Sequence, residues 1–361
     1  MSGKLQRLEA MRGFAACYVF AGHFVLERLL TKGGPLGLPF RFGQEAVMVF
    51  FLISGFVISY AQMQGRESGF IPYIARRARR IYPIYLLALL VSVVTVEGFF
   101  AGQYQPSWGQ VLGNLFMFQD FVDGKPGVWV APLGGNLALW SLSYEWWFYV
   151  MFFPLWRYVP RQRQLDAVAL IAATGLLSYH WFPNQISLFL AYFLIWWSGV
   201  ELAKAYVGNG ATESPEGSSG GEVTLWGQRR LLLYLVVACG LTALPVVEAR
   251  AAGHALSFGL HPVLEFRHFT AALLLVIIGI SWRNRGWLGF NRVFGGFTTL
   301  APISYALYVF HFPLAISATY LAALPGYLAL VCYVAITLVV AYIAEVPLQN
   351  AINRRLRIPR G

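Results

Sequence analysis

Residues 10–30 read AMRGFAACYVFAGHFVLERLL, an apolar run with Arg12 and His23 set inside it. A bilayer core takes about 20 helical residues, and this run has that length. It is longer than the apolar core of a removable signal peptide, and no small-residue cleavage pattern closes it. It reads as a retained first transmembrane helix. Buried charge in such a helix is costly, so Arg12 and His23 need an interior role.

The rest of the chain repeats the pattern. Of 361 residues, 58% are hydrophobic and 12% charged, against about 25% charged in a soluble domain. A chain so poor in charge cannot coat a water-facing globule. The fold class expected is an all-α integral membrane protein of about ten transmembrane helices. Spans are expected near 8–30, 42–62, 81–101, 137–156, 166–182, 186–204, 231–248, 266–282, 299–319 and 325–347.

The net charge of +11 raises nucleic acid as a partner, but a membrane topology accounts for it better. With ten spans and the N-terminus inside, twenty Lys and Arg fall in cytoplasmic segments and six outside, Arg12 lying within a span. Cytoplasmic loops collect such residues, and dropping one span would invert everything after it. Both termini are therefore expected in the cytoplasm, with the chain in a bacterial inner membrane and no nucleic-acid partner. Cys17, Cys239 and Cys332 lie in apolar runs with no CxxC spacing, so neither disulfides nor a metal is expected.

The chain reads as a single transmembrane domain, 1–361. Within it, residues 207–228, rich in Gly and Ser, have the composition of a flexible cytoplasmic linker. Residues 102–136 form a long outer loop carrying Trp108, Asp120, Asp123 and Trp129. Long loops in compact proteins are often functional. Trp faces and carboxylates suit a sugar, so Asp120, Asp123 and Trp129 are candidate substrate contacts, although aromatic residues also gather at any bilayer interface. No internal repeat is visible, which counts against a transporter of inverted halves.

Few ionisable residues fall inside the spans. Arg12 and His23 are eleven apart, so on a helix they share one face about 16 Å apart along the axis. His23 is either a packing histidine or a general base, since imidazole titrates near neutrality. Arg76, Arg77, Arg79 and Arg80 open the third helix. They are either a topology anchor or an anion site whose guanidinium groups grip phosphates. Glu145, between Tyr144 and Trp146, would be costly facing lipid; it is expected to face inward, as a structural partner or as the group orienting an imidazole. His311 and Glu345 lie in the last two spans, where each has a plain structural alternative, His311 in packing and Glu345 as an arginine's partner.

Taken together, these pieces resemble the acyltransferase-3 family of membrane acyltransferases. The resemblance rests on Arg12-x10-His23, FFLISGFVIS at 50–59, RRARRIYPIY at 76–85, WSLSYEWWFY at 140–149, SYALYVFHFP at 304–313 and the closing Glu345-x-Pro347. Their order covers nearly the whole chain. It implies transfer of an acyl group, expected to be acetyl, from cytoplasmic acyl-CoA to an acceptor such as an O-antigen of lipopolysaccharide or an exopolysaccharide unit. The family's functional residues map to Arg12, His23, Arg76, Arg77, Arg79, Arg80 and Glu145. Some members carry a further extracytoplasmic domain after the last helix, which this chain is expected to lack.

The resulting expectation has His23 as general base or acyl-carrying nucleophile and Glu145 as a catalytic carboxylate orienting it. Arg12 and the 76–80 cluster hold the CoA phosphates. Asp120, Asp123, Trp129 and His311 contact the acceptor, and membrane lipids surround the whole. Ser54, Ser141 and Ser143 are lesser relay candidates. The rival readings are a transporter or flippase for a polar or lipid-linked substrate, and a small-molecule receptor. Both explain buried ions, but neither requires a phosphate-sized arginine cluster aligned with a buried histidine.

Overall fold

The computed structural model describes residues 3–30, 35–65, 69–96, 102–208 and 223–355. Most of the expected linker, residues 209–222, lies outside them. The described chain is helical, and its one β-type pairing is an isolated bridge between Gln119 and Val130.

The long helices are α1 (Gly3–Phe24), α2 (Gly43–Met63), α3 (Phe70–Thr95), a short α4 (Trp108–Leu115), α5 (Trp140–Tyr158), α6 (Arg161–Trp181) and α7 (Gln185–Gly208). There follow α8 (Arg229–Ala251), α9 (Val263–Asn284), α10 (Phe290–Phe294), α11 (Ser304–His311), α12 (Gly326–Ile343) and α13 (Gln349–Arg355). Each expected span overlaps a helix or a run of helical pieces, though α3 begins at Phe70 rather than near 81, and residues 97–101 of that expected span lie outside the described residues. Six helices are long and apolar enough to cross a membrane, and a seventh crossing arises if the pair Phe290–Thr299 and Ala301–Ile316, bent by 50°, is one span. The remaining expected spans, in α1, α5 and α6, have 22, 19 and 21 residues but are not among these apolar helices. The chain is an all-α membrane protein, but helix composition does not by itself reach a count of ten.

Helix α7 is the centre of the bundle. Within its apolar window 78% of residues are buried, against 22% for α8. A helix apolar all round must be enclosed by protein or lipid, and here protein does the enclosing. Trp196 and Trp197 are fully buried. The α2–α7 crossing is close because of two glycines. A Cβ on Gly55 would sit 2.1 Å from the Trp196 carbonyl oxygen, and one on Gly199 would sit 2.0 Å from that of Leu52. Only hydrogen fits at either position. This contact fixes the face of α2 that carries Ser54 against the α7 indole.

The 102–136 loop is folded onto the bundle. Ser107 caps α4 by accepting from the Gln110 amide at 3.1 Å. Asn114 accepts from the Leu133 amide at 3.1 Å and donates to the Ala131 carbonyl at 2.9 Å. Tyr85 of α3 donates to the Asn114 carbonyl at 2.7 Å. These bonds satisfy backbone groups that a buried loop would otherwise leave unpaired.

Candidate active site

Five sequence segments far apart meet at a cavity of about 320 Å³. It is lined by Arg12 of α1, Phe50, Ser54 and Val57 of α2, Arg76, Arg77 and Arg80 of α3, Ser141, Glu145 and Tyr149 of α5, and Ser304, Tyr305 and Tyr308 around α11. Its volume lies within the range of small-molecule sites, about 300–1,000 Å³. Arg79 is not among the lining residues. On a helix Arg76, Arg77 and Arg80 share an arc, and Arg79 falls to one side of it.

The arginines at the mouth are held in place. Arg12 donates from Nε to Ser304 Oγ at 3.1 Å, and from Nη2 to Glu9 Oε2 at 2.7 Å and to the Ala301 carbonyl at 3.1 Å. It thereby ties α1 to the start of α11. The Arg77 guanidinium lies 4.4 Å from the Tyr73 ring centre. Arg80 is ion-paired with Glu345. Glu345 also accepts the Ala306 N–H at 2.7 Å, filling one of the donors that the first turn of a helix leaves open. Its negative charge suits that N-terminus. Glu345 is thus an arginine's partner and a helix cap at once.

Two prolines shape the walls. Pro83 in α3 has no N–H for the carbonyl four residues back, that of Arg79, and Gln349 of α13 donates to it instead at 3.0 Å. Pro313 likewise has nothing to give the Val309 carbonyl, and Asn136 donates to it at 3.0 Å. His311 Nδ1–H donates to the neighbouring Tyr308 carbonyl at 2.7 Å. The backbone widens into a π-helical turn at Phe312–Ile316, straight after His311, and another at Val25–Leu29, just after His23. Such turns are frequent at functional sites.

Deep in the cavity a hydrogen-bonded chain leads to a carboxylate. Trp196 Nε1–H donates to Ser54 Oγ at 3.1 Å, Ser54 Oγ lies 3.1 Å from Tyr149 Oη, and Tyr149 donates to Glu145. Glu145 faces inward, as its cost against lipid required. It does not touch His23, however. The expectation that it orients that ring is corrected: the ring bonded to His23 is His311.

His23 Nδ1 lies 2.9 Å from His311 Nε2. The ring planes differ by 9° and the centroids are 5.2 Å apart. That separation equals the N···N distance plus the two ring radii, so the imidazoles lie edge to edge in one plane. A donor N–H then points along the acceptor's in-plane lone pair. His311 is fully buried. Neither ring lines the cavity, which stops at Tyr308 and Ser141, joined at 2.8 Å. The Tyr308 ring centre is 6.0 Å from that of His311. One side chain therefore separates the arginine-lined cavity from the imidazole pair.

The 102–136 residues divide. Asp120 is fully buried. It receives Lys125 Nζ at 2.9 and 3.2 Å and Tyr144 Oη–H at 2.6 Å. Lys125 sits 4.1 Å from the Trp140 ring centre. A fully desolvated carboxylate satisfied by protein donors is not at a loop surface, so the expected sugar contact at Asp120 is corrected to an internal ion pair. Asp123 and Trp129 are exposed, Trp129 to 56%. Sequence reading passed over His268, fully buried with Nδ1 2.7 Å from Tyr192 Oη. An ionisable residue inside an apolar run was the available signal.

Comparison with known proteins gives the arrangement a context. Residues 5–346 match the acyltransferase-3 family, described as an acyltransferase domain. Over 180 residues the chain is 32% identical to the acyltransferase MdmB of Streptomyces mycarofaciens, covering 47% of this chain and 44% of that protein. It is 32% identical over 136 residues to the exopolysaccharide production protein ExoZ of Rhizobium meliloti, covering 37% and 40%. Nodulation protein 10 of Rhizobium leguminosarum bv. viciae is 27% identical over 198 residues, covering 48% and 50%. The chain thus matches half or less of the length of each of these relatives. No solved structure matches it. Because the family match takes in all the segments that build the cavity and the imidazole pair, this chain belongs to the acyltransferase-3 family of membrane acyltransferases.

Proposed function

We propose that this protein transfers an acyl group, acetyl in the simplest case, from cytoplasmic acyl-CoA to a hydroxyl of a carbohydrate such as an O-antigen or exopolysaccharide unit. The observation that carries the reading is the cavity that begins at Arg12, Arg76, Arg77 and Arg80 and ends one side chain from His23 and His311. Guanidinium groups favour phosphate, and CoA brings a pyrophosphate and a 3′-phosphate joined to a long, uncharged thioester arm. With the N-terminus in the cytoplasm, the arginine end faces the compartment that holds CoA. ExoZ is named for exopolysaccharide production, and that relative supports a glycan acceptor.

In the proposed reaction His23 takes the proton of the acceptor hydroxyl as its oxygen attacks the thioester carbonyl. The C–O bond forms, the C–S bond breaks, and the leaving thiolate is protonated by the imidazolium. To bring the thioester to His23, the pantetheine arm must pass Tyr308 and Ser141. Exposed Asp123 and Trp129 are proposed acceptor contacts at the mouth of the 102–136 loop.

The test is CoA release by the purified protein supplied with acetyl-CoA and a polysaccharide acceptor. Acceptor-dependent release of CoA with matching acetylation is the expected result. Movement of the glycan across vesicles with no CoA turnover would instead support the transporter reading.

A further inference from the structure

The bonds around the imidazole pair run in one direction only. The Tyr308 carbonyl can only accept, so the nitrogen 2.7 Å from it, His311 Nδ1, carries the hydrogen. In a neutral ring that leaves His311 Nε2 with a lone pair. The nitrogen 2.9 Å from that lone pair, His23 Nδ1, must in turn carry its hydrogen. His23 Nε2 is then the bare nitrogen of the pair.

We infer that His311 is a positioning residue that fixes His23 in the Nδ1–H tautomer, with the Nε2 lone pair directed to the reaction. This rests on the proposed role of His23 as base and assigns its partner. The supports of His311 fit the task. The Tyr308 carbonyl, 2.7 Å from His311 Nδ1, sets the ring's own tautomer. The Asn136 amide holds the adjoining Val309 carbonyl. The Phe20 and Phe312 rings lie 6.0 and 6.3 Å away, leaving no polar alternative on those sides. When His23 gains the hydroxyl proton, its Nδ1–H bond to His311 becomes charge-assisted and stronger. The pair therefore favours the imidazolium as it forms. Groups that orient a metal-bound histidine through its other ring nitrogen are typically worth about 10- to 100-fold, and an effect of the same order is expected here.

The inference is tested on full-length protein labelled with ¹⁵N-histidine in detergent, His23 being assigned by its loss in His23→Gln. The wild-type ring is expected to show a protonated Nδ1 and an unprotonated Nε2. In His311→Leu that pattern should give way to the Nε2–H form, with kcat down about 10- to 100-fold and KM for acetyl-CoA unchanged. His311→Gln retains an acceptor and should recover most of kcat, which a purely space-filling role would not produce. An Nε2–H tautomer in the wild type overturns the inference, even if His311→Leu does not fold. So does a folded His311→Leu that keeps both tautomer and kcat. The resting tautomer is read without turnover, so a locked His23 combined with an active His23→Gln would sink the base assignment alone.

Discussion

Gln349 and Arg79 are 270 residues apart, yet the Gln349 amide supplies the hydrogen bond that Pro83 denies the Arg79 carbonyl, at 3.0 Å. The last helix thereby sets the backbone from which the arginine cluster projects. Gln349→Leu leaves that carbonyl without this donor in a part-buried setting, at a cost of up to about 1–3 kcal/mol. The expected result is a lower unfolding temperature and weaker acetyl-CoA binding, both measured on detergent-purified protein. A change in stability with unaltered affinity would separate α13 from the arginines.

The arginines are not equivalent. Arg76 and Arg77 line the cavity and Arg79 does not. Arg76→Gln and Arg77→Gln are expected to weaken acetyl-CoA binding by about tenfold or more each, the loss of a charge-assisted bond being worth about 1.5–3 kcal/mol. Arg79→Gln should bind like wild type. Lysine at 76 or 77 should keep part of the affinity, since charge remains while the bidentate fork is lost. Isothermal titration with CoA checks the order. Wild-type affinity in every one of these variants would reduce the cluster to a topology anchor.

Glu145→Gln tests the corrected role of the carboxylate. The amide oxygen can still accept from Tyr149, so the chain through Ser54 to Trp196 survives. Because Glu145 does not touch His23, turnover should fall by less than in any His23 variant. A loss as deep as that of His23→Ala would show that the charge itself takes part.

The membrane fold and the approximate helix positions were legible in the sequence, because hydropathy acts along the chain; that Arg12 and third-helix arginines line one cavity was suggested only by the family's motifs. Helical spacing put Arg12 and His23 on one face, and both reach the region of α11. The partner of His23 was not legible. His311 and Glu145 are both ionisable residues in apolar runs, and only three-dimensional packing decides which meets the ring. Asp120 was misread for a related reason. A carboxylate in a polar loop looks solvated until Lys125, five residues on, is seen to fold in beside it under the Trp140 ring.

The glycine crossing that supports the cavity gives a prediction about stability. Gly199→Ala would place a methyl 2.0 Å from the Leu52 carbonyl oxygen, so α2 and α7 must separate. Overpacking of this kind costs about 1–3 kcal/mol. The thermal midpoint should fall, and activity should fall with it as Ser54 shifts from Tyr149. Gly240→Ala, where a Cβ would meet nothing within 4 Å, is the control and should not lower the midpoint, since alanine is the better helix former.

The most direct measurement of the central claim is acetyl transfer by His23→Gln, made beside CoA binding on the same purified preparation. Glutamine keeps hydrogen-bonding capacity but cannot take up a proton near neutral pH. Loss of a general base lowers the rate by about 10²- to 10⁴-fold. A loss of that size with CoA affinity intact is expected, because neither imidazole lines the arginine cavity. Near-normal turnover by His23→Gln would contradict it.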